Sequence, residues 1–171
     1  TSARSRSTRS YALVNAPACP VDDDIATAVP MTVAYGESAS AWVLERPEST
    51  GPGVPPEPRR REVPLEEIAK YVSEAGSPED RRDVVGAEVL LPREILKGGL
   101  QLIDSPGVGG LESSNALATL SALSSAHAVL LVSDASQEYT EPEVQFLRHA
   151  MRISPNVAAV LAKTDLYPQW R

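Results

Sequence analysis

The stretch GLQLIDSPGVGGLES, residues 99–113, joins an apolar run to a tip that holds one acid and several glycines. The run ends at Asp104, and Pro106 and Gly107 follow almost directly. A buried strand that stops at a turn accounts for this pattern. An acid at a strand tip, followed by a backbone that approaches a ligand closely, also fits a site for a nucleotide phosphate and its metal. The rest of the chain has to distinguish these two interpretations.

From residue 99 onward, strand patterns alternate with helix patterns, which predicts an α/β fold with a mostly parallel sheet flanked by helices. The strands are expected at 99–104, 126–135 and 156–165, with helices at about 115–125 and 141–151. Thr140 is expected to cap the second helix, with Glu143 at the capping-box position. The second strand is almost continuously apolar, so it should be covered on both faces. Ligands of such sheets bind at the carboxyl ends of the strands, which directs attention to Asp104, Asp134 and residues 162–165.

The first half of the chain predicts three strands and one helix. VPMTVAYG (29–36) reads as a strand and AWVLER (41–46) as its antiparallel neighbour, while VVGAEVLLP (84–92) is a further strand. Residues 47–61, rich in proline and ending in three arginines, predict an exposed extended connection with a solvated basic patch. Pro64 should open a helix that ends at Gly76. Residues 1–10, patternless Ser and Arg, predict disorder.

The overall charge and the cysteine content exclude several classes of protein. The 171 residues carry a formal net charge of −7, which argues against a nucleic-acid partner. One cysteine, Cys19, fits a cytoplasmic setting without disulfides. No apolar run reaches the roughly 18 residues of a membrane span. We therefore expect membrane contact only through a partner or another segment.

Two further motifs bear on the interpretation of Asp104. In AKTD (162–165), the carboxylate of Asp165 is able to accept from both donors of a guanine edge, and the stem of Lys163 is able to lie along the base. The alternative is a solvated pair after a strand. In DDDIATAVP (22–30), the hydroxyl of Thr27 is a candidate ligand of Mg²⁺, and its backbone is a candidate for orienting a water. The alternative is an ordinary threonine in an acidic loop.

Together these segments resemble the GTPase domain of bacterial dynamin-like proteins, most of all the actinobacterial type. The resemblance covers about residues 12–171 and rests on LVNA (13–16), CPVDDDIATAVPMTVAYG (19–36), EEIAKYVSEAGSPEDRR (66–82), AEVLLP (87–92), GGLQLIDSPGVGGL (98–111) and VLAKTDLYPQWR (160–171). It implies that Thr27 is the switch-I threonine, that Asp104 and Gly107 are the switch-II pair, and that Lys163 and Asp165 recognise guanine. It also implies GTP hydrolysis with Mg²⁺, dimerisation across the nucleotide face and membrane remodelling through a helical stalk.

Three departures from the family pattern limit these expectations. The phosphate-binding loop GxxxxGK[ST] should lie just before residue 13, where its four defining positions hold Arg4, Arg9, Ser10 and Tyr11. Its backbone cradle and lysine are lacking there. Ala162 stands where the family has Asn or Thr. The sequence also stops before the last GTPase strands and the stalk, so we expect an incomplete domain at 11–171, preceded by a non-native segment at 1–10.

Two functions follow as hypotheses. The first is a truncated dynamin-like GTPase domain that binds a guanine nucleotide and Mg²⁺, is cytoplasmic, and lies at a membrane only through its full-length context. The second is a non-catalytic remnant that forms a homo- or hetero-dimer with a dynamin-like partner. An ATP-dependent enzyme is disfavoured because the carboxylate of Asp165 matches guanine, not adenine.

Overall fold

The computed structural model describes residues 27–47, 57–74, 76–106, 123 and 125–167. The chain divides into two compact units, Thr1–Pro106 and Gly107–Arg171, here called the N-terminal unit and the C-terminal unit. Several predictions fall outside the described residues. These are the disordered segment 1–10, the phosphate contact at Gly107 and most of the helix at 115–125.

The N-terminal unit contains a five-stranded sheet in the order β3-β2-β4-β1-β5. Its strands are β1 (Met31–Tyr35), β2 (Ser40–Glu45), β3 (Arg59–Val63), β4 (Val84–Leu91) and β5 (Leu102–Asp104). Strand β4 runs parallel to β1 and antiparallel to β2, while the β1–β5 and β2–β3 pairs are antiparallel. The predicted α/β class is confirmed, but this described sheet is mixed and not mostly parallel.

The predicted pairing of the first two strands is wrong, because β4 lies between β1 and β2. Val89 of β4 pairs with Val33 on one side and with Ala41 on the other. All three side chains are buried, at no more than 1% exposure. A long apolar strand that packs on both neighbours removes more apolar surface from water than a direct β1–β2 contact, and this decides the order.

The arginine run at 59–61 was predicted to end an exposed connection, and this prediction is wrong. The three arginines begin the edge strand β3. The guanidinium of Arg60 lies 5.1 Å from the ring centre of Trp42, and that of Arg61 lies 5.0 Å from the ring of Tyr71. Arg61 Nε also donates to Glu45 Oε1 at 2.6 Å. Hydrogen bonds to Glu45 and Tyr71 raise the pKa of Arg61 above its ordinary value. Flat cations over aromatic rings thus stabilise a strand that the charge pattern alone did not predict.

The helix predicted over 64–76 is shorter than expected. A 3₁₀ turn, Leu65–Glu67, leads into α1 (Ile68–Val72). The chain is extended at Ser73, and Gly76 N–H donates to Ser73 O at 3.2 Å. A Cβ at Gly76 would lie 1.9 Å from Lys70 O, so only glycine fits where the chain turns back over the helix. Gly76 therefore follows the helix end instead of marking it.

The core of the N-terminal unit lies on the face of the sheet that packs against α1 and the short helix α2 (Glu94–Lys97). Its buried residues are Met31, Val33, Ala41, Val43, Val63, Ile68, Val72, Val84, Ala87, Val89, Leu91 and Leu96. These positions alternate along β1 and β2, and along β4 from Ala87 onward, as expected for a sheet with one face on the core.

The C-terminal unit pairs two parallel strands, β6 (Val129–Asp134) and β7 (Val157–Ala162), with the helix α3 (Glu141–Ile153). The predicted capping box is confirmed, because Thr140 N donates to Glu143 Oε2 at 2.9 Å. Glu143 also accepts from Ser133 Oγ at 2.9 Å, which ties the helix start to β6. The core residues are Leu123, Val129, Leu131, Phe146 and Ala150.

Within the described part of the C-terminal unit, β6 is covered on one face only, in contrast to the expectation of cover on both faces. Val129 and Leu131 are buried, whereas Leu130 between them is 55% exposed. Its partner strand shows the same asymmetry, with Val160 exposed. Helix α3 packs on one face of a strand pair, and an unbroken apolar run in the sequence does not reveal how many faces are covered.

Candidate functional site

Thr27 and Asp104 come together because of the antiparallel pairing of β1 with β5. That pairing sets Asp104, the last residue of β5, beside Met31, the first residue of β1. Thr27 lies four positions before β1, at the same end of the strand pair. Its Oγ1 donates to Asp104 Oδ2 at 2.9 Å, and the two residues are only 8% and 5% exposed. Two candidates that are far apart in the sequence thus form one buried polar contact.

The backbone around Thr27 is held by the end of helix α1. Ala28 N–H donates to Val72 O at 2.7 Å, and Thr27 forms an isolated antiparallel bridge with Ser73. Ser73 is itself 4% exposed. The sequence reasoning did not find this residue, because its only local signal is a small polar residue after an apolar helical position.

The oxygens of Thr27 and Asp104 are of the type that Mg²⁺ prefers. Mg²⁺ usually takes one or two protein ligands and completes its shell with waters and substrate phosphates. The described part of the chain holds no group of three or more His, Cys, Asp or Glu residues placed to bind a metal. One carboxylate and one hydroxyl are able to supply two of the oxygen ligands of a metal that is shared with a phosphate.

The AKTD motif forms a tight turn directly after β7. Leu166 N–H donates to Lys163 O at 3.0 Å, and Asp165 lies exposed within this turn. Lys163 has a φ of 58°, which is the left-handed conformation. Among the described non-glycine residues, Lys163 alone adopts it. Ala135 N–H donates to Ala162 O at 2.9 Å, which keeps the ends of β6 and β7 level. Unusual backbone of this kind often accompanies a ligand site.

The structure therefore arranges the predicted site residues as two pairs. Thr27 and Asp104 are in contact in the N-terminal unit, and Lys163 and Asp165 share one turn in the C-terminal unit. That the two pairs face one nucleotide stays a prediction.

Comparison with known proteins adds an independent finding. Residues 7–163 match the model of the Dynamin family. The chain is 44% identical over 161 residues to the isoniazid-induced protein IniA of Mycobacterium tuberculosis, covering 93% of this chain and 24% of that protein. An uncharacterised protein from the xynA 3′ region of Caldicellulosiruptor is 28% identical over 107 residues, covering 63% of this chain and 27% of that protein.

Solved structures show the same fold. A chain of an oligomerised bacterial dynamin pair, described as a mechanism for long-range sensing and tethering of membranes, superposes with a TM-score of 0.62. It is 16% identical, and the match covers 96% of this chain and 24% of that one. A second chain from such a pair gives a TM-score of 0.59. The sequence thus spans about a quarter of the length of these relatives. Among the described helices, none has the length and apolar character needed to cross a bilayer.

Proposed function

The chain belongs to the dynamin family, and from that premise we propose that it forms part of a site that binds GTP with Mg²⁺ and hydrolyses the terminal phosphate. The observation that carries the proposal is the buried 2.9 Å hydrogen bond from Thr27 Oγ1 to Asp104 Oδ2. A buried carboxylate beside a buried hydroxyl is costly unless both are satisfied. Here they satisfy each other and present oxygen ligands at the end of a strand.

Each residue at this end of the site has a separate role in the proposal. Asp104 and the hydroxyl of Thr27 would hold Mg²⁺, and the backbone of Thr27 would orient the attacking water. The backbone N–H of Gly107 donates to the terminal phosphate. The water oxygen bonds to the terminal phosphorus as the bond to the bridging oxygen breaks, which yields GDP and phosphate. The metal, when bound, offsets the negative charge on the phosphates.

The turn after β7 supplies the base specificity in this proposal. Asp165 is exposed, so its two carboxylate oxygens are able to accept from the ring N–H and the exocyclic amine of guanine. Adenine lacks that pair of adjacent donors. The aliphatic stem of Lys163, in its left-handed conformation at the start of the turn, packs along the flat base.

We place the protein in the cytoplasm, where one cysteine without a disulfide partner is expected. The solved relatives are described as oligomerised pairs that sense and tether membranes. By analogy, this chain dimerises across its nucleotide face, and membrane remodelling is carried out by segments other than these 171 residues.

A second candidate is a pairing module without catalysis. It is favoured by one observation: the 171 residues contain no Gly-Lys step, so none of them can form the lysine-bearing phosphate loop of P-loop GTPases. Such a module would fold, keep the Thr27–Asp104 contact and bind a dynamin-like partner without binding nucleotide.

Binding of a fluorescent GTP analogue to the 171-residue chain, with and without Mg²⁺, distinguishes the two candidates. The GTPase site predicts Mg²⁺-dependent binding in the micromolar range, competed by GTP and not by ATP. Asp165→Ala should weaken it about tenfold or more, because a charge-assisted bidentate contact is lost. Glu138→Ala, an equally exposed carboxylate, is the matched control. A folded chain that does not bind the analogue rules out the first candidate and supports the second.

A further inference from the structure

Two of the described helices end in buried serines that are closely alike. Ser73 after α1 has φ −105° and ψ 156°, and Ser154 after α3 has φ −107° and ψ 134°. Each donates its N–H to the carbonyl four residues earlier, Ala69 O at 3.1 Å and Ala150 O at 2.8 Å. Both are 4% exposed. The two serines are equivalent as helix caps. If substituting them has different effects, the difference must therefore come from their other contacts.

Ser154 forms a hydrogen bond within its own loop, whereas Ser73 pairs with Thr27 of the candidate site. Ser154 Oγ donates to Asn156 O at 3.2 Å, two residues away. Ser73 instead bridges Thr27 from a distant part of the sequence. The bond from Ala28 N–H to Val72 O, at 2.7 Å, flanks this bridge. The bridge is therefore a non-hydrogen-bonded antiparallel pair, the type in which Cα atoms lie about 4.5 Å apart and side chains approach most closely.

Thr27 is consequently restrained from two directions. Its hydroxyl donates to Asp104, and its backbone is paired with the end of α1. Helix α1 is in turn fixed on the sheet through Ile68 and Val72, which are 0% and 5% exposed. Neither restraint alone fixes both the position and the direction of the Thr27 hydroxyl.

We propose that Ser73 is a positioning residue that holds Thr27 against Asp104, so that the end of α1 sets the geometry of the metal side of the site. This inference rests on the proposed function for its catalytic meaning. Its structural content, the restraint on Thr27, exists without nucleotide and is measured without it. Ser73 does not touch the nucleotide and acts only through Thr27.

The first measurement is the hydrogen exchange rate of the Ala28 amide in the nucleotide-free 171-residue chain. Ser73→Pro removes the N–H that caps α1 and disfavours the helical conformation of Val72, whose carbonyl accepts from Ala28. We expect Ala28 to exchange about tenfold faster or more. Ser154→Pro, the matched cap on the other helix, should lower stability similarly and leave Ala28 unchanged. Should Ser73→Pro not fold, Ser73→Gly keeps the N–H and loosens the extended backbone, with the same expected direction.

The second measurement is the Mg²⁺ concentration that gives half-maximal binding of the fluorescent GTP analogue. Ser73→Gly keeps the N–H that caps α1 and loosens the extended backbone that pairs with Thr27. We expect the required Mg²⁺ concentration to rise several-fold, with the GTP-over-ATP preference unchanged, while Ser154→Gly leaves both values unchanged.

Two results would overturn the proposal. One is an Ala28 exchange rate within about twofold of wild type in both Ser73→Pro and Ser73→Gly, or raised equally by Ser154→Pro. The other is an unchanged Mg²⁺ requirement in Ser73→Gly. If wild type binds no nucleotide, the proposed function fails, while the Ala28 measurement still decides whether Ser73 restrains Thr27.

Discussion

The two candidate pairs of site residues are built in opposite ways. Thr27 and Asp104 are buried, hydrogen-bonded to each other and tied through Ser73 to a helix end. Lys163 and Asp165 lie in a turn that is closed by the backbone hydrogen bond from Leu166 N–H to Lys163 O, and Asp165 is exposed. At the first pair, function and stability are expected to depend on the same atoms. At the second pair, specificity is expected to be separable from stability.

The largest expected effect tests the core of the C-terminal unit, the unit that also contains the exposed turn. Phe146→Ala removes the largest side chain of the C-terminal core, and we expect a loss of about 3–5 kcal/mol in the free energy of unfolding of that unit. Chemical denaturation, with amide exchange of β6 as a local probe, measures it. Tyr139→Ala removes an exposed aromatic ring of the same unit and should cost far less. Equal losses would contradict the described core.

A smaller effect tests the claim that the buried pair links function to stability. Asp104→Ala leaves the buried Thr27 hydroxyl without this acceptor, and we expect a loss of about 1–3 kcal/mol in the free energy of unfolding. Asp104→Asn keeps an acceptor oxygen and should lose less, although it should weaken Mg²⁺-dependent binding as strongly. Denaturant titration of both variants beside Asp83→Ala, an exposed acid of the same unit, gives the comparison. An unchanged stability in Asp104→Ala would refute the link.

The smallest effect on stability is expected at the exposed turn. Asp165→Asn should change the free energy of unfolding by less than about 0.5 kcal/mol. It should nevertheless transfer the nucleotide preference from GTP to xanthosine triphosphate, because the Asn amide donates to the carbonyl that replaces the exocyclic amine of guanine. Competition of both nucleotides against the fluorescent analogue measures this, with Glu138→Gln as control. A large stability loss, or retained GTP preference, would show that Asp165 is not the base-recognition residue.

Local patterns in the sequence predicted where the described strands and helices lie along the chain more reliably than they predicted which strands pair with each other. The strands β4, β6 and β7 and the capped helix α3 lie where apolar runs and Thr140 with Glu143 placed them. The order of strands was not predictable in the same way. Alternating residues define which face of a strand is buried, but they do not say which strand lies beside it. This explains the wrong β1–β2 pairing and the missed edge strand β3.

The candidate site was predictable to a similar extent. Thr27 and Asp104 were singled out separately, as a threonine before a strand and an acid at the end of another, and the structure places them in contact. Ser73 was missed because its importance depends on a bridge between distant segments, which no local pattern encodes. Polar residues at strand ends are readable from sequence, whereas the residues that hold them are visible only after folding.

The central position of β4 has a consequence for synthesis on the ribosome. Strands β1 and β2 leave the ribosome before β4, yet each of them pairs with β4. Ala87 of β4, for example, pairs with Met31 of β1 on one side and with Val43 of β2 on the other. Until residue 91 has emerged, both nascent strands expose unpaired edges and apolar faces. Translation through residues 48–83 therefore sets a delay during which the growing chain depends on chaperones or on fast elongation to avoid aggregation.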